Sequence, residues 1–408
     1  MAEADGRWAA LTILSACVLL ALVPWFSAAS VAPLIAAEWD IGALEIALLT
    51  VAVQVGFAVG ALVLAFSGAL DVLPANRLMA GGALLAAAAN AAFGLLATDL
   101  PTSLGLRALS GAGIAAVYPV AMKVLAGWFD RDRGYAVGIL IGAITLGSAV
   151  PHALRAGGAI VGLDWRLVVV AGSLPALLAA LLALRWVNEG PHTIPAARLS
   201  LRMARAALAD PAVRLANLGY LGHMWELYAM WTWVPAFLAA SLMLSGEASA
   251  QQASAVAFLV VGAGAVGCIG AGALADRVGR TTVTIGAMAL SGSSAIAAGL
   301  LFGAPTAVVL AVVVVWGITV VADSAQFSTA VSELAPAGTA GSALAVQTAV
   351  GFLLTGVTIV GVGLIDPGDR LSWFVAFAAL AVGPAIGIIA MRRLRLRPEA
   401  VRMAGGRR

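Results

Sequence analysis

GALADRVGRT, residues 272–281, joins two long apolar runs. In ten residues it carries Asp276, Arg277 and Arg280, while the run before it, from 250 to 271, has no charge. A linker this short between two runs of membrane-spanning length must turn the chain tightly at a membrane surface. Gly272 lets two helices approach closely. Asp276 can cap and anchor the turn, and the arginines suit a positively charged flank.

The rest of the chain fits that start. It has 408 residues, 62% of them hydrophobic and 11% charged, too little charge for a soluble protein. Many apolar runs exceed the ~18 residues that mark a spanning helix. The expected class is therefore an all-α polytopic membrane protein. Apolar runs between charged or Pro/Gly breaks give about twelve spans, beginning near residues 8, 43, 76, 101, 133, 165, 212, 250, 281, 305, 338 and 371. The N-terminal run is expected to be an uncleaved first helix rather than a signal peptide.

Positive charge sets the expected orientation. With the N-terminus in the cytoplasm, Arg155, Arg166 and Arg370 fall outside and Arg107 lies within a span, which leaves 19 of the 23 Lys and Arg on the cytoplasmic side. Both termini are then cytoplasmic, and the expected location is the cytoplasmic (inner) membrane. Trp8, Trp39, Trp128, Trp165, Trp186 and Trp373 sit at span ends, where an interfacial belt is expected. Trp25, Trp225, Trp231, Trp233 and Trp316 lie inside spans, and three of them within nine positions suggest a cavity wall.

The polar stretch after the sixth span divides the chain. The expected organisation is an N-terminal six-helix bundle over 1–187, a cytoplasmic linker over 188–211 and a C-terminal bundle with an Arg-rich tail over 212–408. In the linker, Arg198, Arg202 and Arg205 share one helical face, so a basic amphipathic helix over 196–208 is expected on anionic inner-leaflet lipid.

Several chemistries are disfavoured. Cys17 and Cys268 give no disulfide framework, and His152, His192 and His223 make no zinc pattern, so no metal is expected. There is no Gly-rich phosphate loop, no cofactor pattern and no catalytic constellation. No nucleic-acid partner and no oligomer are expected.

Polar residues within spans are the candidate site. An acid at the centre of a span costs about 2.5–3.5 kcal/mol, so it usually faces a cavity or a partner. Glu226 lies mid-span in GYLGHMWELYAMWTWVPAFL (219–238), one turn from His223. Gly219, Gly222, His223, Glu226, Met230 and Trp233 share a helical face, expected to look into the cavity. His223 is placed to hydrogen-bond Glu226 or a solute. Glu226, His223, Asp323 and Arg107 are the candidates for proton handling and coupling. Trp25, Gln54, Tyr118, His152, Trp225, Met230, Trp233, Gln326 and Gln347 are the candidates for the solute cavity.

The motifs resemble those of the major facilitator superfamily. Gly272, Asp276, Arg277, Gly279 and Arg280 match its signature loop between spans eight and nine. A degenerate first-half copy, SGALDVLPANR at 67–77, retains Asp71 and Arg77 but has Ser67 at the glycine position and Pro74 in the turn. LGLRALSGAGIAA at 104–116 is similar to the family's fourth-span pattern, which implies that Arg107 faces the central cavity. WFDRDRG at 128–134 resembles the family's turn after that span. The adjacent Gly-Pro of the antiporter signature is missing from span five, which has Gly138, Gly142, Gly147 and Pro151.

The resemblance implies two pseudo-symmetric six-helix bundles that rock about a midplane site. The expected function is secondary active transport by alternating access, coupled to protons, of a small organic solute, with an anionic group as one option. The alternatives are proton-driven efflux of lipophilic compounds and, less in keeping with the short tail, a transporter-like sensor.

Overall fold

The structure, a computed structural model, describes residues 2–129, 132–192, 200–244 and 250–407. Its described residues contain twelve helices long and apolar enough to cross a membrane: Gly6–Ser30, Ala43–Ser67, Ala75–Leu96, Leu100–Trp128, Arg133–Ile160, Trp165–Trp186, Pro211–Leu244, Gln251–Val278, Arg280–Leu300, Thr306–Leu334, Ala340–Ile365 and Arg370–Arg395. Each starts within two residues of the sequence expectation. An even number of spans brings both termini to one face, called the terminal face below.

Acids begin four of the helices that start on the opposite face. Asp99, Asp164 and Asp369 accept from the backbone N–H groups of Thr102, Arg166 and Ser372, and Glu45 accepts from Gly42 N at 3.1 Å. These side chains satisfy otherwise orphaned donors and lie at the positive end of the helix dipole. The tail arginines 392, 393 and 395 end the last span on the terminal face, where cations suit the dipole.

Four spans are interrupted, the sixth only at Gly172 between Trp165–Ala171 and Ser173–Trp186. The first tightens into a 3₁₀ turn over Val23–Phe26, with Pro24 at its start. The fourth breaks between Leu100–Ala115 and Tyr118–Trp128, where Pro119 supplies no N–H to continue the ladder. The tenth breaks between Thr306–Thr319 and Ser324–Leu334. The fourth and tenth spans are counterparts in the two halves, and broken spans at equivalent places are where transporters build sites.

The halves meet along two seams. On one, Gly134, Gly138 and Gly142 of the fifth span back onto the eighth. A Cβ on Gly138 would lie 2.9 Å from Cys268 O, and one on Gly134 would lie 2.8 Å from both carboxylate oxygens of Asp276. On the other seam the rings of Phe57 and Phe352, from spans two and eleven, are 4.4 Å apart. Towards the opposite face a Cβ on Gly363 would lie 3.0 Å from Ala47 Cβ. Small residues permit this backbone approach.

Two tryptophans expected in an interfacial belt are packed inside instead. Trp165 and Trp373 are buried, against Trp39 and Phe93 and against Phe237 and Phe377 respectively. The linker helix runs over Leu201–Ala209, capped by Ser200. Ala204 and Ala207 are buried, Arg202 and Arg205 are exposed, and Ser200 N donates to Ser342 Oγ at the start of span eleven. Arg198 lies outside the described residues, as do Asp130 and Arg131 of the turn after span four.

Candidate functional site

Between the halves lies a small cavity of about 40 Å³. It has room for a few waters, so a solute-sized site requires the halves to separate around it. Its wall is aromatic: Trp25 and Tyr118 from the first half, and Tyr220, Tyr228, Trp231 and Phe352 from the second. The rings interlock, with Trp25 centred 5.1 Å from Phe57, 5.8 Å from Tyr228 and 5.6 Å from Phe352. Hydroxyls of Thr145, Ser324, Ser328 and Thr348 add a polar strip. No charged side chain lines the cavity among the described residues. The indole N–H groups of Trp25 and Trp231 are buried without an acceptor. Indole nitrogen only donates, and buried donors without partners are rare.

The seventh span presents this wall with Tyr220, Met224, Leu227, Tyr228 and Trp231, a face at helical spacing. That corrects the expected orientation. The face bearing Gly219, Gly222, His223 and Glu226 packs into the second half. A Cβ on Gly219 would meet Phe327 and Met391, and one on Gly222 would meet the backbone of Gly383 and Gly387. Glycines there serve close helix packing rather than a solute. Trp233 donates to Ile359 O at 3.1 Å and Trp225 to Ala379 O at 2.9 Å. Trp225, Trp233 and the fully buried Met230 are therefore not cavity residues.

The ionisable groups of the second half sit behind the wall. Glu226 Oε1 accepts from Trp316 Nε1 and Oε2 from Ser291 Oγ, both at 2.8 Å. His223 Nδ1 lies 2.9 Å from Asp323 Oδ1, a close ion-pair contact in which Oδ1 receives no aligned hydrogen bond, and both side chains are buried. His223 thus pairs with Asp323 rather than Glu226. Asp323 stands at the break in the tenth span, beside the cavity-lining Ser324. His223 Nε2 has no partner. The partners of Glu226 suit either protonation state. Ser291 Oγ can donate to a carboxylate, or accept from the acid and donate to Met288 O at 3.3 Å.

Arg107 is fully buried but does not reach the cavity, contrary to the family-based expectation. Its guanidinium donates to Pro24 O at 2.8 Å, Ser27 Oγ at 3.0 Å and Asn90 Oδ1 at 3.2 Å, and also to Trp25 O. It pins the 3₁₀ turn that carries Trp25, using neutral acceptors only. Gln54 is buried with both amide atoms unpartnered and outside the cavity wall. His152 is buried and also off the wall. Gln326 accepts from Arg280 Nη1 at 2.9 Å, and Gln347 accepts from Ser328 Oγ at 3.4 Å. Of the nine expected cavity residues, Trp25 and Tyr118 line it.

The 272–281 turn is held from several sides. Gly279 has φ +95°, a conformation that favours glycine. Arg280 grips Glu333 with two hydrogen bonds of 2.7 and 2.8 Å, and its Nη1 is 3.7 Å from Asp276. Arg407 donates to Asp276 O. Gly272 closes on Gly134 O, with 3.1 Å left for a Cβ, while Arg277 is exposed. In the first-half copy Arg77 is exposed, and the side chain of Asp71 lies outside the described residues.

Twelve spans in two pseudo-symmetric bundles, with broken counterparts beside a cavity on their seam, define a polytopic membrane protein of the six-plus-six plan. The chain belongs to the Major Facilitator Superfamily, which it matches over residues 14–359. Over 173 residues it is 30% identical to the MFS-type transporter pytF of Aspergillus terreus (strain NIH 2624 / FGSC A1156), covering 42% of this chain and 56% of that protein. Over 195 residues it is 26% identical to the 3-(3-hydroxy-phenyl)propionate transporter of Escherichia coli (strain K12), covering 47% and 46%. The chain thus spans about half the length of these relatives. In fold it is similar to a bacterial homolog to the human lysosomal transporter Spinster. The inward-facing, unoccupied structure gives a TM-score of 0.72 at 17% identity, over 96% of this chain and 99% of that one. The occupied structure gives 0.71 at 16%, with the same coverage. At such identity the likeness speaks to fold alone.

Proposed function

We propose that the protein is a proton-coupled secondary transporter of a small aromatic organic solute bearing a carboxylate. The observation that carries this reading is the aromatic cavity wall with two unpartnered indole donors, Trp25 and Trp231. Rings offer stacking faces to an aromatic body, and free N–H groups offer hydrogen bonds to an anionic or carbonyl oxygen. The relative in E. coli is named for an aromatic carboxylate.

Protons are favoured as the coupling ion because Glu226, His223 and Asp323 gather behind that wall, and buried acids in spans mark proton relays. Transport would proceed by rocking of the halves, proposed here as 1–187 and 212–408 joined by a linker over 188–211. The seams of small residues would open at one face and then the other. The excess of Lys and Arg on the terminal face supports a cytoplasmic location for both termini and an inner-membrane protein, with Arg202 and Arg205 on anionic inner-leaflet lipid. The site lies within one chain, in keeping with a monomer.

A second reading, efflux of lipophilic compounds, draws on the lack of charge in the cavity wall. Proteoliposomes with an imposed pH gradient separate the two. The first reading expects accumulation of radiolabelled phenylpropionates that collapses with the gradient. Transport of uncharged aromatics with none of phenylpropionates overturns it in favour of the second.

A further inference from the structure

The two copies of the loop motif end differently. Aligning them on Asp71 and Asp276 sets Ala75 opposite Arg280, and these residues open the third and ninth spans. Both positions are buried. In the second half the arginine there is consumed by Glu333 and Gln326. In the first half alanine takes the inward place, and the basic residue, Arg77, stands two positions on and faces outward. Its guanidinium pairs with no acid among the described residues. Its backbone N–H donates to Asn76 Oδ1 at 2.8 Å and to Pro74 O at 3.0 Å.

Arg77 stands at one end of an open groove of about 320 Å³ between the third and fourth spans. The remaining lining is apolar, with Leu73, Leu78, Gly81 and Leu85 on one side and Ala112 and Gly113 on the other. Leu73 and Leu85 are 47% and 41% exposed on the outer flank of the bundle, where a spanning helix meets lipid rather than water. Gly81 opens onto the groove, since no heavy atom lies within 4 Å of where its Cβ would be. Ala75 to Leu85 covers roughly 15 Å along the third span at the helical rise.

We propose that this groove binds one anionic phospholipid, with an acyl chain along Gly81 and the headgroup phosphate on Arg77. The charge pattern commits to that occupant. One cation sits at the water-facing end of the span, and everything deeper is apolar. A zwitterionic lipid would meet the same groove without a net charge for the arginine. A guanidinium fork recognises phosphate oxygens in pairs, and its place in the first turn of the span is headgroup depth. A protein partner would have to satisfy Arg77 with an acid while burying a narrow apolar slot, and among the described residues lining the slot only Arg77 is polar, short of the polar rim such interfaces carry.

The test is native mass spectrometry of the purified full-length protein in mild detergent, with phosphatidylglycerol and phosphatidylcholine added in equal amounts. Wild type should retain phosphatidylglycerol in preference. Arg77→Gln should cut its retention about tenfold, the worth of one charged hydrogen bond, and leave phosphatidylcholine unchanged. Gly81→Leu should reduce both lipids by filling the groove, and Leu85→Trp, which starts from an exposed side chain, gives the same reading if the glycine variant fails to fold. Glycerol 3-phosphate should not compete. A preference that survives Arg77→Gln, full lipid retention in the filled grooves, or displacement by glycerol 3-phosphate each overturns the lipid site; the last would make it a simple anion site.

Discussion

His223 Nδ1 on the seventh span stands 2.9 Å from Asp323 Oδ1 at the break in the tenth. The pair joins a continuous helix to an interrupted one directly behind the cavity wall. A movement of the tenth span at its break must therefore stretch or release this contact, which ties the ionisable groups to the part of the second half best able to bend.

Removing one partner tests that tie. Asp323→Ala should lower stability by about 1–3 kcal/mol, the cost of leaving a buried polar group unsatisfied. The double variant His223→Phe, Asp323→Val should recover part of that loss, because both polar groups leave together. A thermal-melt double-mutant cycle reads the coupling directly. Strictly additive losses would mean the two side chains do not act as a pair.

Glu226→Gln keeps the shape and most of the bonding of the acid. The amide oxygen can accept from Trp316 while its nitrogen donates to Ser291 Oγ. The fold should survive, as a near-unchanged melting temperature would show. Gradient-driven uptake should fall about tenfold or more while solute-for-solute exchange continues. Normal gradient-driven uptake in this variant removes Glu226 from the proton path.

Trp231→Phe keeps a ring on the cavity wall and deletes a donor. The half-saturation concentration for a phenylpropionate should rise about tenfold, as loss of one hydrogen bond to a charged group implies. An uncharged aromatic of the same size should bind as before. Equal losses for both solutes would mean the indole acts through packing alone.

At the turn between spans eight and nine, Asp276→Asn should leave the folded protein in the membrane and slow turnover without a large change in apparent affinity. Asp276 touches Gly134 across the seam and Arg280 on its own turn, and lies away from the cavity wall. Gly134→Ala should act on the same seam, because its Cβ would sit 2.8 Å from the carboxylate. Cysteine accessibility on the terminal face should rise in that variant. Unchanged labelling and turnover in both would show that the contact does not gate.

On the opposite face, hydrogen bonds from Arg166 at 2.7 Å and Trp165 at 2.6 Å hold the Glu38 carboxyl below its ordinary value of 4.5. A lowered folded-state value means that this stabilisation is complete above the ordinary value and is lost as pH falls through the lowered one. Glu38→Gln should therefore melt slightly below wild type at neutral pH, with the gap closing in strong acid. Glu38 is partly exposed, so the gap should also shrink in high salt. A gap that widens on acidification contradicts the assignment.

Much of this molecule is legible in the chain. Spanning length, the placing of arginines and the Gly, Asp and Arg of the 272–281 turn fix twelve helices and the family, because the bilayer demands long apolar helices and tolerates charge chiefly at their ends. The site is legible only in part. His223 and Glu226 share a helical face in the sequence, and small glycines beside them invite a cavity. The same glycines equally permit tight packing, and periodicity does not say which of two apolar faces meets a neighbour and which meets a cavity. The opposite face, Tyr220 to Trp231, carries the same spacing and was open to the same reading.

What the sequence determined by itself is the number of spans, their ends, the turn chemistry and the identity of the buried polar groups, since each follows from local hydropathy and local capping. What tertiary structure alone decided is partnership. His223 goes to Asp323, 100 residues away in the chain; Glu226 goes to Ser291 and Trp316; Arg107 goes to the broken turn of the first span. In lipid every helix surface is apolar enough to face outward, so hydropathy gives little orientation. The rotation of each helix is set instead by which backbones can approach at glycine and which buried donors find acceptors on other spans.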